Sequence, residues 1–460
     1  MQAKMIRAWL GGVSHAAIPA TLCAALAIVL ALHAPVAGAQ AAEEAAALEQ
    51  IVVTARKREE SLLSVPISIS SVSEDAMERN ALRSIADIAP TVPGLNINSD
   101  SVGRAFVSIR GIGTALQAGV QPGVGVFQDG IYVRETSYIN NPTLDVQRIE
   151  VLRGPQGTLY GKNTLGGAIN IITREPGDTF EGKVFGSWSD GNQTSEVGVR
   201  ASGPLGGENL RGKLALAKRE SDGFYENRLI GGAVDAADSE QASASLVCDV
   251  SQDLKLTLNG YYLDFDGGST NYSHVTGVTD YRDNVRMNVI GRQAFVYKGG
   301  NARLEFPIGS TTVTAIGAYD SRQLRGVSDG DFLALDIVRS AARAEDESLT
   351  GELRFDTQFS DTFSTLIGLF ASHETSDAAT LQTVVPLART TTSTAERTAD
   401  TYSLFGTALW RFAADWELSA GVRIDEEDRR QDSRNEVSTA PGVILPTRAG
   451  RSIPPRSNRA

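Results

Sequence analysis

Residues Val146 to Pro176 read VQRIEVLRGPQGTLYGKNTLGGAINIITREP: a strand, a Gly/Pro turn, a short bridge, a Gly-Gly pair and a second strand. Ile149, Val151 and Leu152 carry the first apolar run. Ala168 to Thr173, rich in β-branched Ile and Thr, carry the second. Gly154-Pro155 and Gly161 punctuate the turn between them. Two such strands are not stable as an isolated hairpin, so other parts of the chain have to cover them.

Working upstream, residues 61–176 read as one α+β unit. Pro66 to Ser70 alternates apolar and polar residues as a strand does. Ser73, followed by Glu74 and Asp75, predicts an N-cap and an acidic first turn for a short helix through Met77. Ser84 predicts a second cap for Ile85 to Ile88, with the helix stopping before Pro90. Phe106 to Arg110 reads as a strand. Val124–Gln128 and Ile131–Val133 flank Asp129-Gly130, a two-residue hairpin signal. Gly111-x-Gly113 is no dinucleotide fingerprint, because position 116 is Leu and no helix follows.

Downstream of Phe180 the pattern changes to strands of about ten residues separated by polar loops. In Trp416 to Asp425, Trp416, Leu418, Ala420, Val422 and Ile424 share one side, and Glu417, Ser419, Arg423 and Asp425 the other. Tyr402, Leu404, Ala408, Trp410 and Phe412 repeat the pattern, and 253–265, 310–319, 351–359 and 363–370 are less tidy copies. A soluble sandwich or solenoid is also built of alternating strands. Charged residues on one side and aromatics near strand ends favour a barrel with a polar lumen and a lipid-facing exterior.

The first 39 residues read as a signal peptide, with Lys4 and Arg7 ahead of the apolar run Ala20–Leu32 and a small-residue cleavage pattern at Ala37-Gly38-Ala39. No other long apolar run occurs, so membrane insertion would have to be by strands. The formal charge of -12, two units more negative once Lys4 and Arg7 are gone, argues against a nucleic-acid partner. Cys23 and Cys248 are the only cysteines, and loss of the leader leaves one thiol and no internal disulfide. The four histidines are scattered without metal-ligand spacing. No nucleophile–base set or phosphate loop stands out, so no catalytic residues and no enzyme activity are expected.

Residues 40–60 read as a flexible segment. Within it Ile51, Val52, Val53, Thr54 and Ala55 form a β-branched run before the charged Arg56 to Glu60. Such a run suits β-augmentation, in which main-chain hydrogen bonds give affinity and alternate side chains give register. It would also serve as the first strand of the following domain.

These motifs, in this order, resemble a TonB-dependent outer-membrane receptor of siderophore-receptor type. Ile51 to Ala55 resembles the TonB box. Val107–Gly111, Val126–Gly130, Ile149–Pro155, Leu159–Gly161 and Gly166–Ile171 resemble successive plug motifs, and Tyr402–Gly406 and Leu418–Arg423 resemble barrel strands. The resemblance covers about residues 48–428. It implies a mainly β protein: an α+β plug domain at 61–176 inside a transmembrane antiparallel β-barrel of about 22 strands, beginning here at 177–430. It further implies outer-membrane lipid around the wall and a TonB-type energy-coupling protein gripping residues 51–55. The cargo would be a small-molecule chelate, a ferric siderophore foremost, with cobalamin, haem, nickel chelates or oligosaccharide as alternatives. No resident cofactor is expected, and iron would arrive already chelated.

The resemblance also assigns residues. Arg110 and Arg153 match plug arginines that pair with wall glutamates, and Glu352, turned inward beside Arg354, is the expected partner. Gln117, Gln121, Arg134, Tyr138 and Asn140, in loops 113–123 and 134–141, are the expected ligand contacts. The chain departs from the family in two ways. Only ten or eleven candidate strands follow residue 176, about half a barrel. Residues 431–460 lose the alternation and carry Pro441, Pro446, Pro454 and Pro455. The expectation is a truncated or frameshifted reading frame near 428–434, and a non-functional remnant is one alternative.

Overall fold

The computed structural model describes residues 52–58, 60–101, 104–113, 122–134, 144–191, 193–207, 209–269, 272, 277, 285–414 and 416–439. The expected signal peptide, Ile51, and Gln117, Gln121, Tyr138 and Asn140 lie outside them.

The chain opens with a two-stranded ladder, β1 (Val52–Val53) on β2 (Glu60–Ser61). The plug follows: β3 (Ile69–Ser73), α1 (Glu74–Arg79), α2 (Ile85–Ile88), β4 (Leu95–Ser101), β5 (Arg104–Ile109), β6 (Ile112–Gly113), β7 (Val124–Gln128), β8 (Ile131–Val133), β9 (Val146–Arg153), α3 (Gly157–Tyr160) and β10 (Gly167–Thr173). Its main sheet has the order β3-β9-β10-β7-β8, and β4-β5-β6 make a second. The opening stretch thus supplies the two central strands, β9 and β10, antiparallel to each other, with β7 parallel to β10 on the far side. Buried on both faces, Ile149, Val151, Leu152, Ala168, Ile169 and Ile171 form the plug core.

Local chemistry matches several expectations. The Ser73 side chain caps α1 through Ala76 N–H, and Ser84 with Asp87 makes a reciprocal capping box on α2. Asp129 and Gly130, both at positive φ, turn β7 into β8. Gly167 is required at φ +148°, where a Cβ would stand 2.2 Å from the Leu152 carbonyl oxygen.

The wall is one antiparallel meander of eleven strands: β11 (Glu181–Ser189), β12 (Thr194–Pro204), β13 (Leu210–Ser221), β14 (Ala237–Ser251), β15 (Leu254–Gly268), β16 (Arg292–Ile308), β17 (Thr311–Asp329), β18 (Val338–Ser360), β19 (Phe363–Val384), β20 (Arg389–Ala413) and β21 (Trp416–Ser438). The later strands are longer than sequence alternation indicates: β20 has 25 residues. β21 pairs through Thr390↔Ser438, past Gln431 where the alternation fades, which corrects the boundary expected there. The backbone ladder carries the strand onward where neither face is buried, and side-chain pattern cannot register that.

Short turns join the strands at one end, at 309–310 and 361–362, while the connection at 222–236 lies at the other. One face exposes Tyr402, Leu404 and Trp410, the last two beside their cross-strand partners Ile424 and Leu418. At the short-turn end Phe359 packs on Phe363 at 5.6 Å between ring centroids, and Trp410, Phe412 and Trp416 follow one another at 5.6 and 6.2 Å, with Trp410 the cross-strand partner of Phe363. From Tyr402 to Phe412, at ~3.3 Å per residue and a tilt of ~40°, this apolar band is roughly 25 Å tall, the height of a hydrocarbon core spanned by such strands.

Candidate functional site: the plug–wall interface

A Glu in the middle of the apolar run Ile149-Glu150-Val151-Leu152 must find a partner when the strand is buried. Glu150 is fully buried, and its partner is the segment ahead of the plug. Thr54 N–H donates to Glu150 Oε1 at 2.9 Å, and the Thr54 hydroxyl to Oε2 at 3.1 Å. Arg148 Nε donates to the same carboxylate at 2.8 Å. Asn170 Nδ2 reaches the Thr54 hydroxyl at 3.2 Å, and the Tyr160 hydroxyl donates to the Thr54 carbonyl at 3.3 Å. Every polar group of Thr54 is therefore held by the plug. Val53 and Ala55 are buried beside Phe127, Leu159, Tyr160 and the wall residues Leu366 and Phe405. The expected coupling run is not a free strand: it is stowed, with Val52 and Val53 laddered to Ser61 and Glu60 of the same segment.

The basic triplet that follows is clasped by carboxylates of β18 and β21. Arg56 pairs with Glu417 at 2.6 Å and with Glu60 at 2.6 Å. Lys57 pairs with Glu352 at 2.7 Å and lies over the Phe405 ring at 5.0 Å. Arg58 pairs with Asp356 at 2.6 Å. Burial pulls the Lys57 ammonium down to about 8, against the opposing attraction of Glu352.

The arginine lock is placed differently from expectation. Glu352 does face inward beside Arg354, at 3.0 Å, but its partner is Lys57, in the segment ahead of the plug. Arg153 donates to the hydroxyls of Ser68 and Ser70 at 3.0 and 2.9 Å, and Arg110 to the Ser68 hydroxyl at 3.2 Å. Both arginines converge on Ser68, just ahead of β3, and leave Glu352 to Lys57, the second residue after the coupling run. The Arg153 amide also donates to the Ser68 carbonyl at 2.9 Å.

Of the expected ligand contacts, Arg134 alone is described, and it is engaged: it donates to the Thr375 carbonyl at 3.0 Å and lies 3.7 Å from both Asp346 and Glu374. Lys162 sits between Glu374 and Glu427 at 3.2 and 3.1 Å. Between these pairs and Lys57 lies a small open cleft, lined on the plug by Phe127, Tyr132 and Tyr160 and on the wall by Thr350, Phe370 and Thr401. Gly161 approaches Arg423 so closely that a Cβ would lie 2.9 Å from its Nη2.

On the opposite flank the signs reverse. Asp145, at φ +61° just before β9, makes a buried ion pair with Lys213 of β13, and Arg200 of β12 lies 3.4 Å away. Burial pushes the Asp145 carboxyl above the ordinary range against the pull of these two cations. Lys213 also donates to the Arg174 carbonyl, just after β10, and Arg174 N–H donates to the Asp145 carbonyl at 3.1 Å. Glu74 of α1 binds Arg174 and Arg200. Glu150, Lys57 and Lys213 escaped sequence reasoning, although the lone Glu in a Val/Leu strand was a visible signal for the first.

Residues 61–168 match the family description "TonB-dependent Receptor Plug Domain". The chain is 35% identical over 183 residues to the pesticin receptor of Yersinia pestis, covering 39% of this chain and 27% of that protein. It is 25% identical over 384 residues to the vitamin B12 transporter BtuB of Photobacterium profundum, covering 82% and 57%. The chain thus spans between about a quarter and just over half the length of these relatives. Among solved structures, the ferric yersiniabactin uptake receptor FyuA of Yersinia pestis superposes with a TM-score of 0.71 at 20% identity, covering 81% of this chain and 61% of that one. Residues 61–168 thus belong to the TonB-dependent receptor plug domains by sequence, and the wall around them shares the fold of the ferric yersiniabactin uptake receptor.

Proposed function

We propose that this chain serves energy-coupled uptake of a nutrient chelate across an outer membrane, a ferric siderophore foremost. The observation that carries the reading is the stowed coupling run: Thr54 is held through side chains that a pulling partner can detach singly, while the plug sheet behind it is a continuous backbone ladder. A TonB-type protein is the partner that would draw residues 51–55. The names of relatives support the cargo class, since they include a pesticin receptor, a ferric yersiniabactin uptake receptor and a hemin receptor. Cobalamin is the second reading, favoured by the long alignment with BtuB. The apolar band implies lipid around the wall.

The test is growth of a receptor-deficient Gram-negative host under iron limitation with a panel of ferric siderophores, and in parallel on cobalamin and haem. The expected result is rescue by a ferric siderophore that is lost on deletion of residues 51–55. Rescue by cobalamin alone would transfer the assignment to the second reading, and no binding or uptake of any chelate would overturn both.

A further inference from the structure

The plug body meets the wall along three strips of different character. Toward β11–β13 it presents carboxylates: Glu74 to Lys183 at 3.5 Å and Arg200 at 3.0 Å, Glu78 to Lys183, and Asp145 to Lys213 and, at 3.4 Å, Arg200. Toward β18–β21 it presents cations: Arg134 to Asp346 and Glu374, each at 3.7 Å, and Lys162 to Glu374 and Glu427 at 3.2 and 3.1 Å. Between the two, Leu263, Phe265, Phe295 and Tyr297 of β15 and β16 join the buried apolar core of the plug. Among the described ion pairs between plug body and wall, Arg83 with Glu196 at 4.0 Å alone runs against this order.

Each flank has one wall side chain that grips two separate plug elements. Arg200 of β12 holds Glu74, which opens α1, and Asp145, which precedes β9. Glu374 of β19 holds Arg134, which follows β8, and Lys162, which follows α3. One ion pair lets a body swivel about it; two pairs from separate elements do not. The covalent joint at 174–180 ties the plug to the wall at one place only, and the apolar strip is non-directional. The charges are directional, and they are poorly screened: the Asp145, Lys213, Asp346 and Glu374 side chains are each at most 10% exposed. A turned plug would set acid against acid and base against base, with those charges buried and unpaired.

We propose that this polarity is a key: the acidic flank of the plug is recognised by the basic lumen face of β11–β13 and its basic flank by the acidic lumen face of β18–β21, and together they select the one rotational setting in which the plug seats. The apolar strip on β15 and β16 supplies adhesion in any setting, and the two ionic flanks supply the choice among settings. The key acts when plug and wall come together, and it works with no cargo and no coupling protein present.

Ile131 of the plug and Ala318 of β17 line one small cleft and take part in neither ionic flank. In the full chain with Cys23→Ser and Cys248→Ser, Ile131→Cys and Ala318→Cys report the seated setting through the yield of a short bis-thiol cross-link after refolding. Lys183→Glu with Arg200→Glu should lower that yield about tenfold, one decade per roughly 1.4 kcal/mol. Glu74→Lys with Glu78→Lys should lower it likewise. All four substitutions together should recover most of the yield, because the signs again oppose, which lost packing alone does not bring about. Unchanged yield in either paired variant, or no recovery in the fourfold one, would overturn the key. If the reversed wall fails to assemble, Lys183→Gln with Arg200→Gln and Glu74→Gln with Glu78→Gln run the same cycle without repulsion. Losses that overlap when these are combined support the key, and losses that simply add overturn it. No ligand or coupling partner enters the readout, so failure of the uptake assay would leave the key standing.

Discussion

Lys57 Nζ lies 2.7 Å from Glu352 Oε1, so the residue two positions beyond the coupling run is fastened to the barrel wall. Burial holds this amine at about 8, whereas with residues 52–58 released from the wall it returns to its ordinary 10.5. Below about pH 8 both states carry the proton, and the seated segment bears the whole cost of burying it. Between these values the released state binds more protons, so seating strengthens as pH rises. Protection of residues 52–58 from protease should therefore increase from pH 7.5 to 9.5. Lys57→Met should flatten that dependence; parallel profiles for the two proteins would count against it.

Glu150 is the plug's hold on Thr54. Glu150→Gln keeps the shape but turns one acceptor into a donor facing the donors of Thr54 and Arg148. We expect a cost of about 1–3 kcal/mol, read as faster proteolysis within 52–67 with the β9–β10 ladder still protected from hydrogen exchange. Unchanged proteolysis would remove Glu150 from the role.

Gly167 opens β10 at a backbone setting that side chains avoid. Gly167→Ala should destabilise the plug by about 1–3 kcal/mol from backbone strain alone, with the clash against the Leu152 carbonyl adding to it. Denaturant unfolding followed at the plug should show the loss. Gly157→Ala, where a Cβ meets nothing within 4 Å, is the control.

The exposed Trp410 and Trp416 mark one edge of the apolar band. In vesicles, their fluorescence should be quenched by lipids brominated near the headgroup end of the acyl chains more than by lipids brominated at the chain terminus. Quenching by aqueous iodide alone would reject the lipid-facing assignment.

Much of the architecture is written in local chemistry. Ser73 and Ser84 announce their helices, Asp129-Gly130 its hairpin, and the alternation of Trp416 to Ile424 a two-faced wall strand, because caps, turns and strand periods depend on residues a few positions apart. The ordered plug motifs carried the family for the same reason. What the sequence could not supply was partnership across hundreds of residues. Arg153 and Glu352 have the right charges for each other, yet the structure gives Ser68 to Arg153 and Lys57 to Glu352. Any inward carboxylate suits any cation within reach, so only the folded register decides which pairs meet. The same holds for VQRIEVLRGP…GGAINIITREP. Its two strands were legible from their Ile, Val and Thr, but tertiary structure alone tied both ends to Lys213 and made Glu150, between them, the holder of Thr54.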